Sequence, residues 1–133
     1  MDEKKKVVKN IIEYVEKQLS LEEGLNLDTI ANYAGYSRFH LNRMFSEVTG
    51  CTLHRYIKER RLTKAAEKLV RKEDFPIADI AQEASYQSQQ AFTYAFKKAY
   101  GCTPKTYREQ GIHKELRTME EILKRTEQRR CAA

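Results

Sequence analysis

Residues 27 to 56 and 77 to 107 are two copies of one pattern. An internal repeat constrains a fold more than any single helix, because each copy must be the same supersecondary unit. Leu27-x-x-Ile30-Ala31-x-x-Ala34-Gly35-Tyr36 returns as Ile77-x-x-Ile80-Ala81-x-x-Ala84-Ser85-Tyr86 at an offset of 50. After one inserted residue, Phe45, Gly50-Cys51-Thr52 and Tyr56 return as Phe96, Gly101-Cys102-Thr103 and Tyr107 at an offset of 51.

Each copy reads as two short helices around a tight turn, with apolar residues spaced i, i+3, i+4, i+7 and a closing glycine. In the first, Asn26 caps a helix whose inner face is Leu27, Ile30, Ala31 and Ala34, and Gly35 supplies the turn. Ser37 caps the next helix, with Leu41, Met44, Phe45 and Val48 inward and Gly50 at its end. In the second copy Pro76 opens a helix with Ile77, Ile80, Ala81 and Ala84 inward. Ser88 caps its partner, with Phe92, Ala95, Phe96 and Ala99 inward and Gly101 stopping it. The predicted fold class is therefore all-α, with two helix-turn-helix subdomains.

From Thr52 to about Lys72 there is no Gly or Pro, and Leu53, Tyr56, Ile57, Ala65, Ala66 and Leu69 recur at helical spacing. This predicts one long linker helix of about 30 Å, close to the ~34 Å between successive major-groove faces of B-DNA. A helix over about residues 3 to 19 buries Val7, Val8, Ile11, Ile12, Val15 and Leu19, and Thr103-Pro104 starts a short helix carrying Tyr107. Leu116, Met119, Ile122 and Leu123 predict a helical tail over 113–133. The expected layout is 1–51, N-terminal helix and first unit; 52–72, linker; 73–112, second unit; 113–133, tail.

Charge points to a partner. The chain carries +6 overall, yet Arg38 to Lys72 holds ten basic residues against three acidic ones, a net of +7, while residues 1 to 37 are slightly acidic. Clustering of this kind suits a polyanion. Other classes fit poorly. No run nears the roughly 18 apolar residues needed to span a bilayer, and the opening MDEKKKVV has no apolar stretch behind it, so a cytoplasmic location and no membrane partner are expected. Cys51, Cys102 and Cys131 are scattered, which predicts plain thiols rather than a disulfide framework or metal site. His40, His54 and His113 are isolated, so neither catalysis nor a cofactor is expected.

The DNA-reading candidates are the positions that each core stripe leaves facing outward near a helix N-terminus. On the first helix these are Arg38, Phe39, Asn42, Arg43 and Ser46. Arg43 can fork onto guanine O6 and N7, Asn42 can pair with adenine, and Phe39 can pack on a thymine methyl or form the rim of the core. For Arg38 and Arg43, phosphate contact fits the sequence as well as base reading does. The second helix offers Gln89, Gln90, Thr93 and Tyr94 to bases, or keeps them as a solvated polar face. Ser46, Lys97, Thr103, Lys105 and Arg108 are placed at phosphates, the last three at a helix start. Arg61 and Lys64 on the long helix either approach the backbone or solvate their face.

The string Ile80-Ala81-x-x-Ala84-x-Tyr86-x-Ser88-x-x-Ala91-Phe92-x-x-x-Phe96-Lys97-Lys98-x-x-Gly101-x-Thr103-Pro104-x-x-Tyr107-Arg108 resembles the second helix-turn-helix of AraC/XylS transcription regulators. Gly35-Tyr36-Ser37-Arg38-Phe39-His40-Leu41-Asn42-Arg43-Met44-Phe45 is similar to the first unit of the small MarA/SoxS/Rob-type activators. The resemblance covers about residues 7 to 110. It implies a seven-helix, two-lobed domain that binds double-stranded DNA and activates transcription by contacting RNA polymerase. Two non-identical reading helices in one chain remove the need for a two-fold dimer, so binding as a monomer is expected. Two positions depart from the family pattern: Ser85 stands where glycine is usual in the second turn, and Tyr94 where arginine is common. The family often adds an effector domain, and only the tail beyond residue 113 occupies the place of one. Some relatives fuse the domain to a zinc-held cysteine methyl acceptor, which needs a cysteine cluster that this sequence lacks. The competing readings are a helical protein-interaction module, or the excised DNA-binding part of a larger effector-responsive regulator.

Overall fold

The computed structural model describes residues 3–20, 25–72 and 74–113, and the expected tail helix lies outside them. The described residues form α1 (Glu3–Ser20), α2 (Leu27–Ala34), α3 (Arg38–Thr49), α4 (Leu53–Arg71), α5 (Ile77–Glu83), α6 (Gln89–Tyr100) and α7 (Pro104–Gln110). No strand occurs among them. The caps explain the boundaries. Asn26 Oδ1 accepts from Thr29 N at 2.9 Å, Ser37 Oγ from His40 N at 3.2 Å, Ser88 Oγ from Ala91 N at 3.1 Å and Thr103 Oγ1 from Thr106 N at 3.2 Å. Each satisfies an amide that the helix itself cannot.

The chain divides into two compact units, the first running to Lys58 and the second beginning at Glu59. In the first, Ile11, Ile12 and Val15 of α1 pack with Ile30 and Ala31 of α2, Leu41, Met44, Phe45 and Val48 of α3, and Leu53, Tyr56 and Ile57 of α4. Tyr56 is fully buried, and its hydroxyl donates to Glu16 Oε2 at 2.9 Å, so its polar tip is satisfied. In the second, Leu62, Ala65, Ala66 and Leu69 of α4 join Ile80, Ala81, Ala84, Phe92, Phe96 and Tyr107. Phe92, Phe96 and Tyr107 form a chain of rings 5.2 to 5.6 Å apart, the last pair edge to face. The long helix is thus a wall of both cores.

Ala99 was expected inward and is exposed. Its neighbour Tyr100 takes the inner place, half-buried and stacked on Phe96 at 4.6 Å, because a ring at the helix end covers more apolar surface than a methyl group. The equivalent positions in the first unit, Val48 and Thr49, are both buried.

The turns differ as the sequence suggested. Gly35 has φ +79° and donates its N–H to Ala31 O at 2.9 Å. Ser85 adopts the same left-handed region, φ +71°, and is the one non-glycine residue to do so among the described residues. Its N–H reaches instead to Gln82 O at 3.0 Å, while Tyr36 and Tyr86 keep matching bonds to Ala31 O and Ala81 O. The extra residue of the second copy is Gln87, between that tyrosine and the cap, so α3 and α6 are each 12 residues long and start from equivalent serines.

Candidate nucleic-acid interface

On α3, burial of Leu41, Met44, Phe45 and Val48 turns Arg38, Phe39 and Arg43 to solvent. Phe39 is 77% exposed, so it is no rim residue of the core. A large ring held in water on a capped helix suits contact with a partner. Arg38 Nε lies 3.3 Å from Asp28 Oδ1 of α2, and Arg43 Nε lies 3.4 Å from Glu47 Oε1 one turn along α3. All four side chains are substantially exposed, so these contacts orient the guanidinium groups more than they stabilise the fold.

Asn42 sits differently from its expected role. It is half-buried, and its Oδ1 is shielded from solvent with no hydrogen-bond partner among the described residues. An adenine contact therefore requires the side chain to rotate outward, and a base would satisfy an atom that is costly to leave unpaired. Ser46 is half-buried.

On α6, Phe92 and Phe96 face the core, and Gln89, Gln90 and Tyr94 face out, Tyr94 at 71% exposure. Thr93 is half-buried and Lys97 exposed. Counted from the capping serines, Tyr94 occupies the position that Arg43 holds on α3, and Lys98 that of Glu47. The two helices thus present different chemistry on one frame.

The phosphate candidates separate. Lys105 is exposed at the start of α7, and the Thr103 hydroxyl caps that helix. Arg108 does not stand ready for a phosphate. Its Nε donates to Leu69 O at 2.9 Å and its Nη2 to Lys72 O at 3.2 Å and Phe75 O at 2.7 Å. The guanidinium thus adds a charged donor to carbonyls at the end of α4 and in the following turn, where Lys72 O also accepts from Phe75 N at 2.9 Å.

Structure also thins the basic segment. Arg60 is only 6% exposed. Lys68 Nζ lies 2.6 Å from Glu83 Oε2, and Arg71 pairs with Glu67 at 2.8 Å. Arg61 is half-buried, and burial lowers its pKa, opposed by the nearby Tyr86; burial in turn raises the Tyr86 pKa. Lys64 is half-buried. Asp28 and Glu83, both outside the segment in sequence, neutralise part of it in space.

Sequence reasoning missed Asp28, Glu47 and Lys4 as companions of the reading helix. The Arg43–Glu47 spacing of i,i+4 was a readable signal. Lys4, whose Nζ lies 3.2 Å from Glu47 Oε2 across 43 residues of chain, gave none. Among the described residues no helix is long and apolar enough to cross a membrane, and no group of three metal-ligating side chains assembles. Cys51 is buried and Cys102 half-buried, both as free thiols; Cys131 lies outside the described residues.

These features define a tandem helix-turn-helix protein, and a family described as a helix-turn-helix domain matches residues 30–110. The chain is 47% identical over 105 residues to the probable transcription factor PqrA of Proteus vulgaris, covering 79% of this chain and 85% of that protein. Among solved structures, the C-terminal domain of AraT, a response regulator from Geobacillus stearothermophilus, aligns with a TM-score of 0.69 and 31% identity, covering 85% of this chain and 92% of that one. The DNA-binding domain of AdpA in complex with a target DNA aligns at 0.65 and 26% identity, over 75% of this chain and 90% of that one. The chain belongs to the AraC/XylS family of helix-turn-helix transcription regulators.

Proposed function

We propose that this chain is a sequence-specific regulator that binds asymmetric double-stranded DNA as a monomer, with α3 and α6 each entering a major groove. The observation that carries this reading is the outward face of α3. A capped helix, anchored by five buried residues, holds Phe39 and two arginines in solvent in its N-terminal half, where a recognition helix meets base edges. Likeness to a domain crystallised on its target DNA supports the same reading. In it, Arg38, Phe39, Asn42 and Arg43 of α3 and Gln89, Gln90, Thr93 and Tyr94 of α6 face bases, and Ser46, Lys97, Thr103 and Lys105 approach the phosphates. The output is activation through RNA polymerase, with no catalytic step of its own.

Selection of bound sites from random duplexes, followed by gel shifts, tests the reading. Arg43→Ala and Gln90→Ala are each expected to cost about 1–3 kcal/mol on the selected site and to relax preference at one base pair. Lys105→Ala should weaken all duplexes alike. A wild-type chain that prefers no duplex by more than a fewfold over random DNA rejects specific regulation. Transcription in vitro from a promoter carrying the selected site, with and without this chain, tests the activating output.

A further inference from the structure

The first reading helix carries an acidic residue placed where it governs how an arginine is used. Glu47 Oε1 accepts from Arg43 Nε at 3.4 Å, and Oε2 accepts from Lys4 Nζ of α1 at 3.2 Å. With Phe39, His40 and Met44 the three charged residues line one open hollow. The two cations, Lys4 foremost, lower the Glu47 pKa, so its carboxylate is charged at neutral pH. At the equivalent position of α6 stands Lys98, so this arrangement belongs to the first unit alone.

An arginine fork offers two faces to an acceptor pair: the Nε edge and the end formed by the two terminal amino groups. Glu47 occupies Nε, which fixes the direction of the guanidinium and leaves the end pair for the O6 and N7 of a guanine. The same carboxylate acts oppositely on the two DNA surfaces. A guanine edge is neutral and meets little repulsion, whereas a phosphate is an anion approaching another anion well inside the screening length of about 8 Å at physiological salt.

We propose that Glu47 is a specificity-determining positioning residue, which aims Arg43 at a base and opposes sequence-independent phosphate contact by Arg43 and Lys4. The inference rests on α3 being a DNA-reading helix.

The test measures dissociation constants of the whole chain for its selected duplex and for a scrambled duplex of equal length, over a range of salt. Glu47→Gln, nearly isosteric at an exposed site, should tighten the scrambled duplex more than the selected one. The ratio of the two constants should fall about three- to fivefold, the reach of an exposed ion pair, and the salt dependence on scrambled DNA should steepen by about one released counterion. Glu13→Gln on the exposed side of α1 changes net charge equally and should leave the ratio alone. In an Arg43→Ala background, Glu47→Gln should no longer change the ratio. Equal tightening of both duplexes by Glu47→Gln, or a ratio change that persists without Arg43, overturns the inference while the DNA-reading role stands. A wild-type chain with no preference removes both.

Discussion

Ser85 shows how one residue can keep a repeated fold while straining it. A side chain in the left-handed region crowds its own carbonyl, which costs roughly 1–2 kcal/mol. The first unit avoids that cost with Gly35, where an added Cβ would meet nothing within 4 Å, so any penalty there comes from the backbone alone. Ser85→Gly should stabilise the chain by about 0.5–1 kcal/mol once the greater freedom of unfolded glycine is set against the relief. Gly35→Ala should destabilise it by a similar amount. Urea titrations followed by circular dichroism measure both, and a loss of stability in Ser85→Gly would show that the serine side chain contributes more than its strain costs.

At the level of elements, the end of α4 depends on a residue far along the chain. Arg108 closes that end with three carbonyl contacts, and hydrogen bonds to a charged donor contribute about 1.5–3 kcal/mol. Arg108→Met should lower stability by about 2–3 kcal/mol, and Arg108→Lys should restore little, since a point ammonium cannot span three acceptors as a planar fork does. The helices themselves were legible in the sequence because their signals are local: capping side chains three residues from the amides they satisfy, and apolar periodicity. Ser85 was legible as a departure, and the structure gives it the backbone geometry that glycine usually supplies. Arg108 was misread because the carbonyls it serves lie 33 to 39 residues earlier. The half-burial of Asn42 was not legible, because the apolar stripe assigns a face, not a rotamer. Lys4 and Asp28 were invisible as partners of α3, since charge pairing between helices leaves no period in the chain.

For the molecule as a whole, two hydrophobic clusters imply two cooperative blocks within one chain. Phe92→Ala should cost the second about 3–5 kcal/mol. Native-state hydrogen exchange should then show amides of α5, α6 and the Glu59–Arg71 stretch of α4 exchanging faster, while those of α1 to α3 stay protected. Uniform loss of protection would mean that the blocks unfold as one. The boundary between them falls inside a helix rather than in a loop: Leu53, Tyr56 and Ile57 serve one cluster, and Leu62, Ala65, Ala66 and Leu69 the other. Dissection is constrained accordingly. A fragment stopped at Lys58 would end in mid-turn, and one begun at Glu59 would start without a cap, so separately expressed halves must each carry α4 entire, along with an apolar strip made for an absent partner.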